Sequence, residues 1–372
     1  MTGQWWQWVF FSLCGVTLIQ LFYYLYFFLR LAVFKNKPRS SSQTHPVSVI
    51  ICARDEAANL AKNLPGALLH EYRTTHEVIV VNDNSFDETK YLLEELHKDF
   101  RRLQIVELKQ EAKLIPGKKF PLSMGIKAAK HEIVLLTDAD CMPASEHWIE
   151  RMQETYEEGT EIVLGYGAYH RKKGLLNKMV RWETAHTAMQ YLSYALAGIP
   201  YMGVGRNLSY RRGLFFKHKG FSSHNHIPSG DDDLFVNMAA RPGNTSINIH
   251  PDAFTLSIPV RTWTQWFRQK TRHFSTGRYY KPMHRFLLGL YALAQFLFWP
   301  LAIISFVVFP WPWVAGVVGL RLVVQWATHI PVLLKLREKD LIAWLPLFDL
   351  WMSLYYVIFS FALFKKPRAQ WK

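Results

Sequence analysis

The chain between residue 47 and about residue 140 alternates short apolar runs with amphipathic segments. Segments with helical spacing of apolar residues, EAANLAKNLPGALL and DETKYLLEELHKDF, stand between runs that have the length of buried strands. This alternation predicts an α/β fold with a mostly parallel sheet and helices on both of its faces. The predicted strands are VSVIIC (47–52), EVIVVND (77–83), LQIVELK (103–109) and EIVLLTD (132–138).

Long apolar runs stand at both ends of the chain. The run from Trp8 to Leu29 carries no charge and is long enough to cross a bilayer. Arg30 and Lys35 follow it, and the positive-inside rule therefore predicts a cytoplasmic position for the next segment. Further spans are predicted over 286–309, 314–334 and 341–364.

The last of these spans conflicts with the charge of the tail. Four full crossings would place Lys365, Lys366 and Arg368 outside, against the positive-inside rule. The sequence therefore slightly favours a re-entrant or interfacial final segment, and it leaves full crossing open.

Composition adds a strong positive charge and excludes a disulfide framework. The 372 residues carry a formal net charge of +15, which favours nucleic acid, an anionic membrane surface or a phosphate-rich substrate as partner. Membrane spans and the lack of nucleic-acid recognition motifs argue against nucleic acid. Only three cysteines are present, so no disulfide framework or metal-binding cysteine pair is predicted.

Acidic side chains follow two of the predicted strands, where ligands of parallel sheets bind. Asp83 ends the second strand, and Asp87 is predicted to cap the helix after it. In LLTDADCMP, the spacing of Asp138 and Asp140 suits two ligands of one hard divalent cation, Mg²⁺ or Mn²⁺. An aspartate-rich turn that caps a helix is the alternative, and the sheet pattern upstream favours the cation.

Two further motifs leave alternatives open. PGKKFPLSMGI places Lys118 and Lys119 either on a diphosphate or in a solvated basic loop, and it lacks the P-loop pattern. SGDDDLF holds Asp231, Asp232 and Asp233 side by side, although adjacent carboxylates repel each other. The residues alone do not separate a solvated turn from a metal site or a catalytic group.

Taken together, these motifs resemble the family 2 glycosyltransferases. The resemblance covers most of Val47 to Phe274 and implies the GT-A fold, a nucleotide-diphospho-sugar donor and a divalent metal. The matching motifs, in the family's order, are VSVIICARDEAANL, VVNDNSFDET, GKKFPLSMGI, LLTDADCMP, SGDDDLF and RQKTRHF.

The resemblance also implies a set of donor-binding residues, with Asp140 acting through the metal and Arg272 on the diphosphate. Two positions depart from the family pattern: Ser123 stands where relatives often have asparagine, and His273 stands where they have tryptophan. The implied donor-binding residues are Arg54, Glu56, Asp83, Lys118, Asp138, Asp140 and Arg272.

For catalysis, the resemblance assigns the general base to Asp232, with Asp231 as its acidic neighbour. Asp233 is then predicted to be a solvated or helix-starting residue. Gln269 and His273 are placed on the acceptor side. One base and no covalent nucleophile imply single displacement with inversion at the anomeric carbon.

Basic residues near the apolar runs favour contact with anionic membrane lipids, and hence a lipid or lipid-linked acceptor at the inner membrane. The segment GLLNKMVRWETAHTAMQYLSYALAGIP is predicted to be a helix either on the membrane surface or packed on the domain. The predicted parts are an N-terminal transmembrane helix (1–34), a basic linker (35–46), a cytoplasmic catalytic domain (47–283) and a membrane region with two or three spans (284–372).

Two alternatives compete with this interpretation. A processive polysaccharide synthase needs more spans to line a pore, and such relatives usually retain the tryptophan that His273 replaces. A catalytically silent scaffold of the same fold is disfavoured because Asp138, Asp140, Asp232 and Arg272 are all present.

Overall fold

The computed structural model describes residues 4–36, 45–70, 72–109, 115 and 117–364. In that part of the chain, ten strands form a sheet of seven strands and a smaller sheet of three. The strands are β1 (Val47–Ala53), β2 (His76–Asp83), β3 (Leu103–Leu108), β4 (Ile133–Asp138), β5 (Cys141–Pro143), β6 (Ile162–Leu164), β7 (Gly167–Tyr169), β8 (Leu208–Arg211), β9 (Thr245–Ile247) and β10 (Thr255–Ser257).

The seven-stranded sheet has the order β3-β2-β1-β4-β8-β6-β9. Strand β1 pairs in parallel with β2 and β4, and β2 pairs in parallel with β3, as the sequence predicts. Strand β8 runs antiparallel to β4 and β6. Strands β1 and β2 are buried along their whole length, since helices cover both faces of a parallel sheet. The small sheet, in the order β5-β10-β7, begins with the residues that follow Asp140.

The predicted helices between the strands are present, with ends that shift by a few residues. The α-helices of the central region are α3 (Ala57–Leu68), α4 (Thr89–Asp99), α5 (Lys119–Ala128), α6 (Trp148–Gln153), α7 (Leu175–Leu196), α8 (Arg212–Lys217), α9 (Asp233–Ala239) and α10 (Trp263–Thr276). Asp87 accepts a hydrogen bond from the Thr89 amide (3.0 Å) at the start of α4, which agrees with its predicted capping role.

Four helical segments of the described residues are long and apolar enough to cross a membrane. The first comprises α1 (Trp5–Phe22), a π-helical stretch (Tyr23–Phe28) and α2 (Leu29–Val33); the others are α11 (Pro282–Val308), α12 (Trp311–Lys335) and a segment (Lys339–Phe364) that contains α13 (Leu345–Ser360). Most of the predicted linker, residues 37–44, and the basic tail 365–372 lie outside the described residues.

Helix α7 is buried along nearly its whole length, so the packed alternative for this segment is correct. Its Trp182 ring stacks on Phe348 of α13, with ring centroids 4.9 Å apart. Its Arg181 is fully buried and donates to Glu338 (3.0 Å) and Asp340 (2.8 Å), just before α13. Helix α7 therefore joins the sheet domain to the apolar helices.

Helix α13 packs along α10 as well as against α11. Its Trp351 ring lies 6.3 Å from Trp266, and the short helix after it (Phe361–Phe364) also contacts α10. Phe359 lies 5.5 Å from Phe274, which is near the far end of α10. Both ends of this apolar segment therefore contact the same side of the molecule, namely the sheet domain.

A polar cluster ties the apolar helices together. Arg321 of α12 is fully buried and donates to both carboxylate oxygens of Asp349 (2.7 and 2.5 Å). Gln20, Gln295 and Gln325 complete the hydrogen bonds of this pair from α1, α11 and α12. The two charges that interrupt the predicted spans are thus each other's partners.

Candidate functional site

The polar residues after the strands gather at one edge of the main sheet, as parallel pairing requires. Arg54 follows β1, and its guanidinium lies 3.9 Å from the carboxylate of Asp83 at the end of β2. Glu56 accepts a hydrogen bond from Asn59 (2.5 Å). Glu56 lines the cavity described below, together with Asp138 and Asp140, whereas Arg54 and Asp83 stand outside its wall.

The Lys118 ammonium forms an ion pair with Asp138. Burial would raise the pKa of Asp138, but the Lys118 charge outweighs it and holds this pKa below its usual value. Asp140 forms no ion pair with another described residue. Burial and the neighbouring Asp138 raise the pKa of Asp140. One carboxylate of the D-x-D pair therefore has a cation partner, and the other lacks one.

The donor atoms of Asp138, Asp140 and Cys141 lie within 4.8 Å of one another. The Cys141 sulfur is buried, lies 2.9 Å from the Ser257 hydroxyl, and is a soft ligand that Mg²⁺ does not prefer. Asp140 presents a hard carboxylate without a cation partner among the described residues, and it fits a divalent ion of the Mg²⁺ or Mn²⁺ type. Asp138 can bind the same ion only if its carboxylate contacts the ion and the Lys118 ammonium at the same time.

Asp232 caps helix α9 and is held at both carboxylate oxygens. Its Oδ1 accepts from the Asp233 amide and its Oδ2 from the Gly205 amide, each at 2.7 Å. Only glycine allows this approach without crowding, because a Cβ at position 205 would lie 3.3 Å from the Asp232 oxygen. Burial, followed by the charges of Asp231 and Asp233, raises the pKa of Asp232 to about 7. A carboxylate with that pKa suits a general base near neutral pH.

Asp233 starts α9, as predicted, but it is not solvated: only 7% of its surface is exposed. Its Oδ2 accepts from the Thr276 hydroxyl (2.5 Å) and from the Tyr280 hydroxyl (2.7 Å). These donors compensate for the burial of the carboxylate. Asp233 therefore joins the aspartate cluster to the end of α10, and the solvated alternative is wrong.

Arg206 is a site residue that the sequence interpretation did not single out. Its guanidinium donates to the Ser257 hydroxyl (3.2 Å) and the Gly167 carbonyl (3.0 Å), and it lies 4.4 Å from the centre of the Tyr169 ring. It lines the same cavity as Asp138 and Asp140. In the sequence, Arg206 stands among the glycine and apolar residues of GVGRNLSY, and this position by itself predicts no role.

Lys119 has a structural position instead of a solvated one. Its buried ammonium donates to the carbonyls of His224 (2.8 Å), Ile227 (2.6 Å) and Ser229 (2.8 Å). These carbonyls belong to the loop that leads into the three aspartates. Of the two adjacent lysines, only Lys118 lines the cavity, and Lys119 fixes the loop before Asp231.

The predicted acceptor-side residues lie on α10. Gln269 donates to the Tyr169 hydroxyl (3.3 Å), while its Oε1 is buried and has no partner among the described residues. Arg272 and His273 line the cavity beside it. The structure thus brings residues of RQKTRHF to the same cavity as those of SGDDDLF and LLTDADCMP.

That cavity has a volume of about 1330 Å³ and two chemically different ends. One end carries the charged side chains described above. The other is lined by apolar side chains of α11 and of the final apolar segment, including Phe286, Ala292, Leu363 and Phe364. A single space therefore runs from the ends of the sheet strands to the apolar helices.

Comparison with known proteins agrees with this geometry. Residues 48–218 match the model of the family described as glycosyl transferase family 2. The chain carries a family 2 glycosyltransferase domain. The match includes Arg54 to Asp140 and ends before Asp232 and Arg272, and the roles of all these residues remain predictions.

Similar proteins include the probable glycosyltransferase YdaM of Bacillus subtilis, which is 26% identical over 244 residues. That alignment covers 61% of this chain and 54% of the relative, so the chain spans about half of that relative's length. A beta-monoglucosyldiacylglycerol synthase of Nostoc is 33% identical over 101 residues, which cover 27% of this chain and 21% of the synthase.

The mannosyltransferase PcManGT from Pyrobaculum calidifontis, solved in complex with GDP-Man and Mn²⁺, has a similar fold. The superposition has a TM-score of 0.59 at 18% identity and covers 96% of this chain and 99% of PcManGT. The GT-A fold predicted for the family 2 domain is thereby confirmed.

Proposed function

We propose that the protein transfers a sugar from a nucleotide-diphospho-sugar to a hydroxyl group of a lipid or lipid-linked acceptor. One observation carries this proposal: the cavity that holds the aspartates of the strand ends continues between the apolar helices. A charged donor and an apolar acceptor therefore have access to the same reaction centre.

On the donor side, the similarity in fold to PcManGT, which binds GDP-Man and Mn²⁺, supports a nucleotide-sugar and a divalent metal. Arg54, Glu56 and Asp83 would hold the nucleoside, and Lys118 and Arg272 the diphosphate. Asp140, with Asp138, would hold Mg²⁺ or Mn²⁺. When bound, such an ion supplies positive charge to the leaving diphosphate.

In the reaction, Asp232 accepts the proton of the acceptor hydroxyl. The oxygen then forms its bond to the anomeric carbon while the bond from that carbon to the diphosphate breaks, and the nucleoside diphosphate leaves. Attack opposite the leaving group inverts the anomeric configuration. The Gly205 and Asp233 amides hold the base in place before the substrate binds, which avoids reorganisation during the reaction.

The acceptor assignment has two supports. The apolar end of the cavity suits hydrocarbon chains, and the synthase of Nostoc is named for a glycolipid product. Gln269 and His273 would contact the acceptor headgroup. The boundaries predicted from the sequence, with the catalytic domain over 47–283, remain part of this proposal.

For the membrane, the proposal comprises three crossings, by the α1–α2 helix, α11 and α12. Helix α13 then lies in the interface under the catalytic domain, which its contacts with α7 and α10 support. This arrangement returns the basic tail to the side of the catalytic domain, in agreement with the positive-inside rule. The catalytic domain is then cytoplasmic, on the inner membrane, with anionic lipids around its basic residues.

The test is a transfer assay with the protein in nanodiscs of mixed membrane lipids and a panel of GDP- and UDP-sugars. We expect one donor to yield a new glycolipid in mass spectrometry, with the anomeric configuration opposite to that of the donor by NMR. Removal of divalent ions with EDTA is expected to stop transfer, and added Mg²⁺ or Mn²⁺ to restore it. A panel that yields no lipid product, or retention of configuration, contradicts the proposal.

A further inference from the structure

The apolar end of the cavity is a slot between the first turns of α11 and the end of the final apolar segment. Phe286, Gly289 and Ala292 line it from α11, and Leu363 and Phe364 line it from the other side. A Cβ added to Gly289 would meet no atom within 4 Å. The slot therefore has free space at that position, as a hydrocarbon chain requires.

Two arginines line the same cavity as the residues of the slot. Arg285 precedes Phe286 on the first turns of α11, and Arg278 lies just before that helix. Neither forms an ion pair with any described residue, whereas Lys270 on the same wall pairs with Glu183. Arg278 stacks on Tyr279 (4.5 Å), and its Nε is buried without an acceptor among the described residues.

Two hydrogen bonds join the segment that contains Arg278 to the aspartate cluster. Thr276 and Tyr280, two residues to either side, both donate to Asp233, the neighbour of Asp232 in the chain. Arg278 therefore belongs to a segment that is hydrogen-bonded to the residue next to the base, and it lines the same cavity as the base. Arg272 also lines the cavity, but it faces the D-x-D end, where its charge lowers the pKa of Asp138.

We propose that Arg278 and Arg285 bind a phosphate group of the acceptor lipid, whose chains occupy the slot between α11 and the final apolar segment. This inference rests on the proposed function and narrows the acceptor to an anionic phospholipid with a headgroup hydroxyl. Guanidinium groups bind phosphate through paired hydrogen bonds, which are among the strong ones. A neutral lipid such as diacylglycerol offers no anion for these bonds and leaves the buried Nε of Arg278 without an acceptor among the described residues.

Photo-crosslinking tests the assignment without depending on turnover. The protein is placed in phosphatidylcholine nanodiscs that contain either phosphatidylglycerol or diacylglycerol with a diazirine in one chain, and the labelled peptides are identified by mass spectrometry. We expect labels at 286–292 and 355–364, and about tenfold more labelling by phosphatidylglycerol, since charge-assisted hydrogen bonds are lost with the neutral lipid.

The variants are R278Q, R285Q and the pair together, with R268Q as matched control. Arg268 is an exposed arginine of α10 that does not line the cavity. We expect the double variant to lose about tenfold in labelling and R268Q to lose none. G289W fills the slot and keeps both arginines, so its expected loss of labelling keeps the proposal testable if an arginine variant does not fold.

Equal labelling by the two lipids, or wild-type labelling of the double variant, overturns the proposal. Lipid labels that fall outside 286–292 and 355–364 also overturn it, because the chains then do not occupy the slot. The proposed function fails separately: if labelling follows the expected pattern but no donor supports transfer, the lipid site stands and the transferase reaction falls. If transfer occurs to a lipid without phosphate, the reaction stands and this inference falls.

Discussion

The Arg321 cluster of the apolar helices and the aspartates of the cavity differ in how their charges are satisfied. In the apolar helices, Arg321 and Asp349 neutralise each other, and three glutamines complete their hydrogen bonds. In the cavity, Asp140, Asp231 and Asp232 have no cation partner among the described residues. The Arg321–Asp349 cluster is closed, because its charges are paired, and it holds helices together. The aspartates of the cavity form an open cluster, which keeps negative charge available for a ligand or a proton.

The difference has an energetic consequence. The pKa of Asp232, raised to about 7, lies above that of an unfolded aspartate, so the folded protein favours the protonated form. This stabilising contribution is present at low pH and is lost as the pH rises through 7. An ionised Asp232 in the cavity therefore lowers the stability of the fold. In the apolar helices the reverse holds, because removal of Asp349 would leave the buried Arg321 without a counter-ion among the described residues. Four changes separate these roles, and their expected effects decrease from the first to the last.

The first change is D232N, which removes the proposed base. We expect turnover to fall by about 10²–10⁴-fold, the usual contribution of a general base, with little change in donor binding. The free energy of unfolding is expected to change by no more than about 1–2 kcal/mol, since one lost hydrogen bond is offset by weaker repulsion. Transfer kinetics measure the turnover, a titration measures donor binding, and denaturation measures the free energy of unfolding. D99N changes an exposed aspartate and is the control, with wild-type turnover expected. Wild-type turnover in D232N as well would remove the base assignment.

The second change acts on the closed cluster. R321M is expected to lower the free energy of unfolding by about 3–5 kcal/mol, because it leaves Asp349 buried without its partner. The double variant R321M/D349L removes both charges and is expected to recover most of that loss. Denaturation in detergent measures the stability of each. If the double variant is as unstable as the single one, the pair does not act as a unit and the comparison of the two clusters fails.

The sequence predicts the sheet domain better than it predicts either cluster. Strands β1 to β4 follow from apolar runs of strand length, and Asp138 and Asp140 follow from their place at the end of such a run. Pairing of Arg321 with Asp349 is different, because the two residues lie on separate helices and each alone only interrupts an apolar span. Their partnership depends on how the helices pack, which periodicity does not encode.

Similar reasons explain the contacts around the cavity that the sequence did not predict. Arg206 gains its position from contacts with β7 and β10, and Lys119 from three carbonyls more than a hundred residues later in the chain. Asp233 could be predicted as a helix start from its place in SGDDDLF. Its burial could not, because the donors Thr276 and Tyr280 reach it only through the fold.

The third test uses pH to separate an open carboxylate from a paired one. Transfer requires Asp232 without its proton, so kcat/KM is expected to fall about tenfold for each pH unit below a value near 7. D233N removes one of the like charges that raise this pKa, and it is expected to move the acid limb to lower pH. Rates from pH 5 to 9 at constant ionic strength measure the limb. A flat profile over that range would contradict a base with this pKa.

The smallest expected effect comes from Y280F, which removes one of two hydroxyl donors to the buried Asp233 (2.7 Å). Thr276 still donates to the same oxygen, so we expect a loss of about 1–2 kcal/mol in the free energy of unfolding. Y210F is the matched control, because the Tyr210 hydroxyl is buried with no partner among the described residues, and its loss is expected to be neutral. Equal effects of the two variants in denaturation would show that the tyrosine hydroxyl does not hold Asp233. That result would leave Thr276 as the donor that joins the segment of Arg278 to the aspartate cluster.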